Sequence, residues 1–227
     1  MIKAIVIGAS GGIGSAIAEA IEARRGEVIR LSRHSEPALD LCDDTSIEGA
    51  AKLLSERGPF DLLIIATGLL HGPGVAPEKS LRDIEGAPFD RLFRVNATGP
   101  ALVLRHFVPL IRRDSRSVIA ALSARVGSIG DNRIGGWVGY RAAKAALNQI
   151  IRTIAIELKR THPAAIIVGL HPGTVDTNLS APFQRNVASD RLFAPAQAAA
   201  LLLDVIERLT PDDSGHCLDW AGERIAP

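Results

Sequence analysis

Cysteine is scarce in this chain. Cys42 and Cys217 are the only two among 227 residues. They are too few for a disulfide framework and lack metal-ligand spacing, so no metal site is expected and a reduced, cytoplasmic setting fits. An excess of one charge is also missing. Lysine and arginine number 26 against 25 aspartates and glutamates, a formal net charge of +1. Pairs such as Arg24-Arg25 and Arg112-Arg113 read as solvated helix ends, and nothing argues for nucleic acid. Long hydrophobic runs are absent too. The opening MIKAIVIGAS breaks at Gly8, too short for a signal peptide or a membrane span. Residues 1–227 hold no repeat, low-complexity tract or interdomain linker, and their length suits one domain. Aromatics make up only 4%, and a single tyrosine is present, Tyr140.

That tyrosine lies in WVGYRAAKAALN, four residues before Lys144. Apolar residues recur from Ala142 to Leu158 at three- and four-residue intervals, the pattern of a helix. Positions i and i+4 share a helix face, so phenol and ammonium meet in one place. A cation beside a phenol favours its ionised form, which makes Tyr140 a candidate acid/base for a carbonyl or an alcohol. Taken alone, Tyr-x-x-x-Lys is a weak signal, since most such pairs are ordinary surface residues.

The rest of the chain alternates strand and helix. Ile2–Ile7 is a buried strand by its β-branched apolar run. GASGGIG follows, then a helical pattern through Ile13, Ile17 and Ile21. Strand, glycine turn and helix aim helix N-terminal amides at a phosphate, with Gly8 in the turn and Gly12 and Gly14 permitting close approach. A generic glycine turn is the plainer alternative. The next strand, Gly26–Leu31, ends in Ser32-Arg33, where an NAD-binding unit would carry an acid. An arginine there suits a 2′-phosphate and favours NADP(H) over NAD(H); a solvated loop arginine is the other reading. Ala38–Leu41 reads as a short third strand. Asp40 within it either meets an adenine amino group or caps the turn.

Ser46–Arg57 reads as helix and Asp61–Ala66 as strand, ending at Thr67-Gly68. A Gly/Pro-rich loop, 69–77, lies where such folds keep ligands. Pro88–Arg112 reads as one long helix, kinked or with freed carbonyls at Gly99-Pro100. Asn96 beside that break is either a core amide or part of a site. Ser117–Leu122 and Ala164–Leu170 are further strands, and Gly215–Leu218 adds an edge strand. The predicted fold is α/β: a single-domain, Rossmann-type doubly wound sheet of about seven parallel strands with helices on both faces. Ser180–Arg191 mixes polar and apolar residues as a lid would.

Taken together, these residues resemble the short-chain dehydrogenase/reductase family over essentially the whole length. The matching pieces are Gly8-x-x-x-Gly12-Ile13-Gly14, Asp40, Asn96, a serine after Leu122, Tyr140-x-x-x-Lys144 and Pro172-Gly173-x-Val175-x-Thr177. GSIGDN, GGWVGYR and HPGTVDTNLSAPF look similar to the C-factor and sniffer-like carbonyl reductase branch. The resemblance implies an oxidoreductase that interconverts a carbonyl compound and an alcohol, with Tyr140, Lys144, Ser123 and Asn96 catalytic. Gly8, Ser10, Gly12, Ile13 and Gly14 would carry the pyrophosphate, and Ser32 and Arg33 the 2′-phosphate. Asp40, Leu41, Ala66 and Gly68 would flank the adenosine, and Pro172, Gly173, Val175 and Thr177 the nicotinamide. It also implies a homodimer or homotetramer.

Three departures stand out. The family's Asn-Asn-Ala-Gly is Ile65-Ala66-Thr67-Gly68 here. Its Ser-Ser pair is Ser123-Ala124, with alanine in strict register on the catalytic position, so that Ser123 substitutes by a one-residue shift or Ser128 reaches in. The serine before the lysine is Ala143. These departures motivate an alternative reading, a dinucleotide-binding regulatory or signalling protein with little turnover. Leu69, Leu70, Trp137, Pro182 and Phe183 would line an apolar substrate pocket, or else serve as core or oligomer contacts.

Overall fold

The computed structural model describes the backbone of residues 1–227 and every side chain except those of Asn186 and Ser189. Six parallel strands form the main sheet: β1 (Lys3–Ile7), β2 (Glu27–Leu31), β3 (Leu62–Ile65), β4 (Ser117–Leu122), β5 (Ala165–His171) and, at the edge, β8 (Cys217–Asp219). Their order is β2-β1-β3-β4-β5-β8. Two further strands, β6 (Thr174–Val175) and β7 (Leu192–Phe193), pair only with each other. The helices are α1 (Gly12–Ala23), α2 (Asp44–Leu54), α3 (Gly86–Phe93), α4 (Gly99–Phe107), α5 (Val138–Thr161) and α6 (Pro195–Arg208). Among the described residues, no helix is long and apolar enough to cross a membrane.

The strands read as unbroken apolar runs because both faces of the sheet are covered. Side chains alternate across a strand, and the two layers divide accordingly. Ile5, Ile7, Leu63, Ile65, Ile119, Ala121 and Ile167 pack with Val103, Phe107, Leu147 and Ile151 of α4 and α5. Ala4, Val6, Leu62, Ile64, Val118, Ala120 and Val168 pack with Ile17 and Ile21 of α1 and Leu202 and Ile206 of α6. Register is regular throughout, for example Ile64 opposite Ala120 and Ala120 opposite Val168. The chain leaves β1 in one direction toward β2 and returns on the other side as β3. Such a reversal opens a crevice at the carboxyl ends of the strands.

Two expectations change. Ala38–Leu41 is not a strand, so the main sheet has six members rather than about seven. Leu39 donates one bond to the Ser32 carbonyl, at 2.8 Å. The neighbouring backbone groups go to a side chain instead. The Ser46 hydroxyl accepts from the Asp40 amide at 3.0 Å and donates to the Ala38 carbonyl at 3.2 Å. Leu39 and Leu41 still bury into the core. Pro88–Arg112 is likewise not one helix. A π-turn over Arg94–Thr98 separates α3 from α4, and α4 ends in a 3₁₀ turn at Val108–Leu110. Pro100 lacks an amide hydrogen, and the extra residue of a π-turn is one way a helix absorbs such a break.

Candidate active site

One end of the crevice begins where β1 turns into α1. Gly8 has φ +87°, and a methyl there would sit 2.7 Å from the Ala66 carbonyl oxygen. A methyl on Gly14 would run into the Gly8 carbonyl itself. Both positions therefore require glycine, one for its conformation and one for close approach. The helix N-cap, Gly11, offers no side-chain acceptor. The amides of Gly12, Ile13 and Gly14 have no acceptor among the described residues. Three free amides at a helix N-terminus form a site for an anion.

The far segment reaches the same place. Thr177 Cγ2 would lie 2.8 Å from a methyl on Gly12, so Pro172–Thr177 closes over the start of α1. The β6–β7 pair and an edge contact between Phe193 and Trp220, centroids 5.0 Å apart, hold that segment beside Gly173. At the end of β2, the Ser32 hydroxyl accepts from the His34 amide at 3.1 Å, and Ser35 Oγ accepts from the Ser32 amide at 2.8 Å. This tight turn leaves Arg33 exposed. Asp40 caps its turn, accepting from the Cys42 amide at 2.9 Å. Leu41 is buried against Gly99.

The chemical end is built on α5. Tyr140 and Lys144 stand one turn apart, 8% and 2% exposed, with Lys144 Nζ 5.7 Å from the phenol ring centroid. Nζ donates to the Leu122 carbonyl at 2.7 Å. Burial pulls the ammonium down from 10.5 to about 8, a fall that the neighbouring Cys217 partly opposes. Burial also pushes the Tyr140 phenol up to about 12. Burial sets the direction here: the phenol rises rather than falls, and Lys144 Nζ hydrogen-bonds the Leu122 carbonyl and not the phenol.

Asn96 sits in the π-turn and is fully buried. Its amide nitrogen donates to the carbonyls of Leu69 (2.7 Å) and Leu92 (3.0 Å), and its oxygen accepts from the Leu69 amide at 3.1 Å. It acts as a core amide that braces the loop after β3. A methyl on Gly68 would stand 3.6 Å from Asn96 Oδ1 and 4.0 Å from Lys144 Nζ. Gly68, Asn96 and Lys144 thus converge. The Thr67 hydroxyl next to them is buried without a partner among the described residues.

Ser123 Oγ donates to Asn148 Oδ1 at 2.6 Å, one turn of α5 beyond Lys144. Strand alternation explains the direction: Ala121 faces α5, and Ser123, two residues on, faces the same way. Ser128 accepts from the Asp131 amide at 3.0 Å and donates to the Pro227 carbonyl at 3.4 Å. The residue that packs with Tyr140 is Ala124, in an apolar cluster with Leu70, Val75 and Leu92. Leu69, Trp137 and Phe183 join this cluster as expected, whereas Pro182 is exposed.

Three participants were not legible in the sequence. The Leu122 carbonyl anchors Lys144, but no residue type marks a carbonyl. His71 Nε2 lies 3.1 Å from the carbonyls of Asn178 and Leu179 and so carries a proton; its ring meets Phe183 at 5.6 Å. Glu78, just past the Gly/Pro-rich loop and in no recognised motif, is 4% exposed.

A free-amide anion cradle, a crevice at the strand reversal and a Tyr–Lys pair beside it define a nicotinamide-dinucleotide-dependent dehydrogenase or reductase. Comparison with known proteins specifies the class. The model of the short chain dehydrogenase family matches residues 38–188, and the chain belongs to that family. It is 29% identical over 227 residues to the 1-hydroxy-2-glutathionyl-2-methyl-3-butene dehydrogenase of Rhodococcus sp. (strain AD45), covering 95% of each chain. It is 32% identical over 168 residues to the C-signal protein of Myxococcus xanthus, covering 74% of this chain and 93% of that one. Among solved structures, a short-chain dehydrogenase/reductase from Burkholderia multivorans with bound NADP superposes with a TM-score of 0.82 at 25% identity, covering 100% of this chain and 99% of the other.

Proposed function

We propose that the chain is an NADP(H)-dependent oxidoreductase that interconverts an apolar carbonyl compound and its alcohol, with Tyr140 as the acid/base. The observation that carries this reading is that Tyr140 and Lys144 stand one turn apart on α5, with Lys144 Nζ beside Gly68 and Asn96. The chain's own groups suit a phosphorylated dinucleotide. Gly12, Ile13 and Gly14 offer amides to a pyrophosphate. Arg33 stands exposed where an acid would select NAD, and its planar fork suits a 2′-phosphate. The NADP in the Burkholderia multivorans relative supports the same preference.

When bound, the reduced nicotinamide supplies a hydride to the carbonyl carbon. The remaining work falls to this chain. With its pKa held at about 12 by burial, Tyr140 is a neutral phenol at physiological pH and donates its proton to the substrate oxygen. Lys144, at about 8, is mainly an ammonium at that pH and stabilises the resulting phenolate. Its bond to the Leu122 carbonyl fixes the direction of Nζ. Leu69, Leu70, Trp137 and Phe183 exclude water and receive the apolar body of the substrate.

The test is a Tyr140→Phe chain assayed by NADPH consumption across a panel of aldehydes and ketones. Removing the acid/base should lower kcat by about 10²–10⁴-fold and leave NADPH binding intact. A phenylalanine variant with parental turnover refutes the role. A second reading has one observation in its favour: Ala124 supplies no hydroxyl beside Tyr140. On that reading the chain binds NADPH as a regulatory or signalling protein and turns over none of the panel.

A further inference from the structure

Helix α5 lacks an N-terminal cap of its own. Its N-cap residue, Trp137, is left-handed (φ 53°, ψ 45°) and makes no side-chain capping bond, and the first turn carries no acid. A helix start leaves several amides needing acceptors, and Tyr140 is the third residue of this helix. The missing acceptors come from 61 residues upstream. Glu78 Oε1 accepts from the Gly139 amide at 3.1 Å. The backbone carbonyl of the same residue accepts from the Trp137 amide at 2.6 Å.

Glu78 is 4% exposed, and its Oε2 is buried without a partner among the described residues. Burying a carboxylate is costly unless something holds the charge. Here the Gly139 amide supplies the carboxyl's one hydrogen bond, at the positive end of the helix dipole. The fit is tight. A methyl on Gly139 would come within 2.7 Å of Glu78 Oε1 and 2.8 Å of Leu92 Cδ1. Arg141 fastens the incoming chain from the other side, donating to the Gly136 carbonyl at 2.9 Å and the Gly135 carbonyl at 3.1 Å. The residue whose backbone Glu78 fixes, Trp137, meets Tyr140 edge-on at 6.4 Å and Phe183 at 4.9 Å.

We infer that Glu78 is a positioning residue: its buried carboxylate caps α5 from the loop after β3 and so sets where Trp137 and Tyr140 stand over the substrate. The inference rests on the function proposed above, and its test separates the two. Glu78→Ala and Glu78→Gln are compared with the parent in kcat, KM and NADPH affinity. In a Trp220→Phe background the tryptophan emission reports Trp137 alone, since the chain has two tryptophans.

In Glu78→Ala, kcat should fall by roughly 10²-fold through misplacement of the acid, with KM and NADPH affinity held within about threefold. The Trp137 emission should shift to the red. Glu78→Gln retains an acceptor for the Gly139 amide and should restore most of kcat and the parental emission. The inference is overturned by parental kcat and emission in the alanine chain, by glutamine failing as badly as alanine, or by kcat and NADPH affinity falling together with the emission unmoved. Should the alanine chain not fold, Glu78→Asp takes its place: it retracts the carboxylate by one methylene, so a selective kcat loss supports the inference and an unchanged kcat overturns it. If the parent reduces no carbonyl, the proposed function fails, and the Trp137 emission still decides whether Glu78 sets the helix start.

Discussion

Replacing Lys144 with methionine should make the chain more stable while removing its activity. Lys144 is 2% exposed and forms its hydrogen bond with the Leu122 carbonyl. Burial lowers its pKa from 10.5 to about 8. At about 1.4 kcal/mol per pH unit, that fall represents roughly 3 kcal/mol set against folding. Methionine leaves the Leu122 carbonyl without this donor, which costs about half of that. Methionine fills similar space without the charge, for a net gain of about 1–2 kcal/mol, or about 3–6 °C in Tm for a chain of this length. The sign fixes the pH window. The folded pKa lies below the unfolded one, so the cost is complete below about pH 8 and fades as pH rises toward 10.5, where the lysine is neutral in both states. Urea unfolding of parent and variant, followed by circular dichroism at about pH 7.5 and about pH 9.5, should show the variant ahead at the lower pH and the gap narrowing at the higher. A variant less stable than the parent at the lower pH, or a gap that does not narrow, would refute the reasoning.

Arg33→Asp should move the ratio of kcat/KM for NADPH over NADH toward NADH by at least about tenfold, through loss of a phosphate contact and gain of a repelling carboxylate; an unchanged ratio shows that Arg33 touches no phosphate. Ala124→Ser puts a hydroxyl into the Tyr140 cluster. One added donor at the developing oxyanion should raise kcat for carbonyl reduction by about tenfold, measured under saturating NADPH, and a flat or lower kcat argues against that position as the oxygen site.

Much of the fold was legible because both faces of the sheet are buried. Runs such as Leu62–Ile65 and Val118–Leu122 announce central strands, and the spacing of Leu147, Ile151 and Leu158 announces the buried face of α5. The glycine cradle was legible for a local reason, since strand, turn and helix follow one another directly. Side chains that replace backbone partners were not legible. Ser46 takes the bonds that would have made Ala38–Leu41 a strand, and Asn96 bonds the backbone of Leu69 across 27 residues. The direction of Ser123 lay within reach, because counting alternate residues from Ala121 puts it under α5. Glu78 had no such signal, since its partners are set only by the folded loop.

The wide turn between α3 and α4 works as a phase shifter. Ahead of it, Leu92 points its apolar side at Tyr140; behind it, Val103, Leu104 and Phe107 point theirs at the sheet. A regular helix advances about 100° per residue, so excising one residue from Arg94–Thr98 would swing one half against the other by that angle. Either the Tyr140 cluster or the hydrophobic layer against the sheet would then lose its wall. The length of this stretch is therefore constrained from both sides at once.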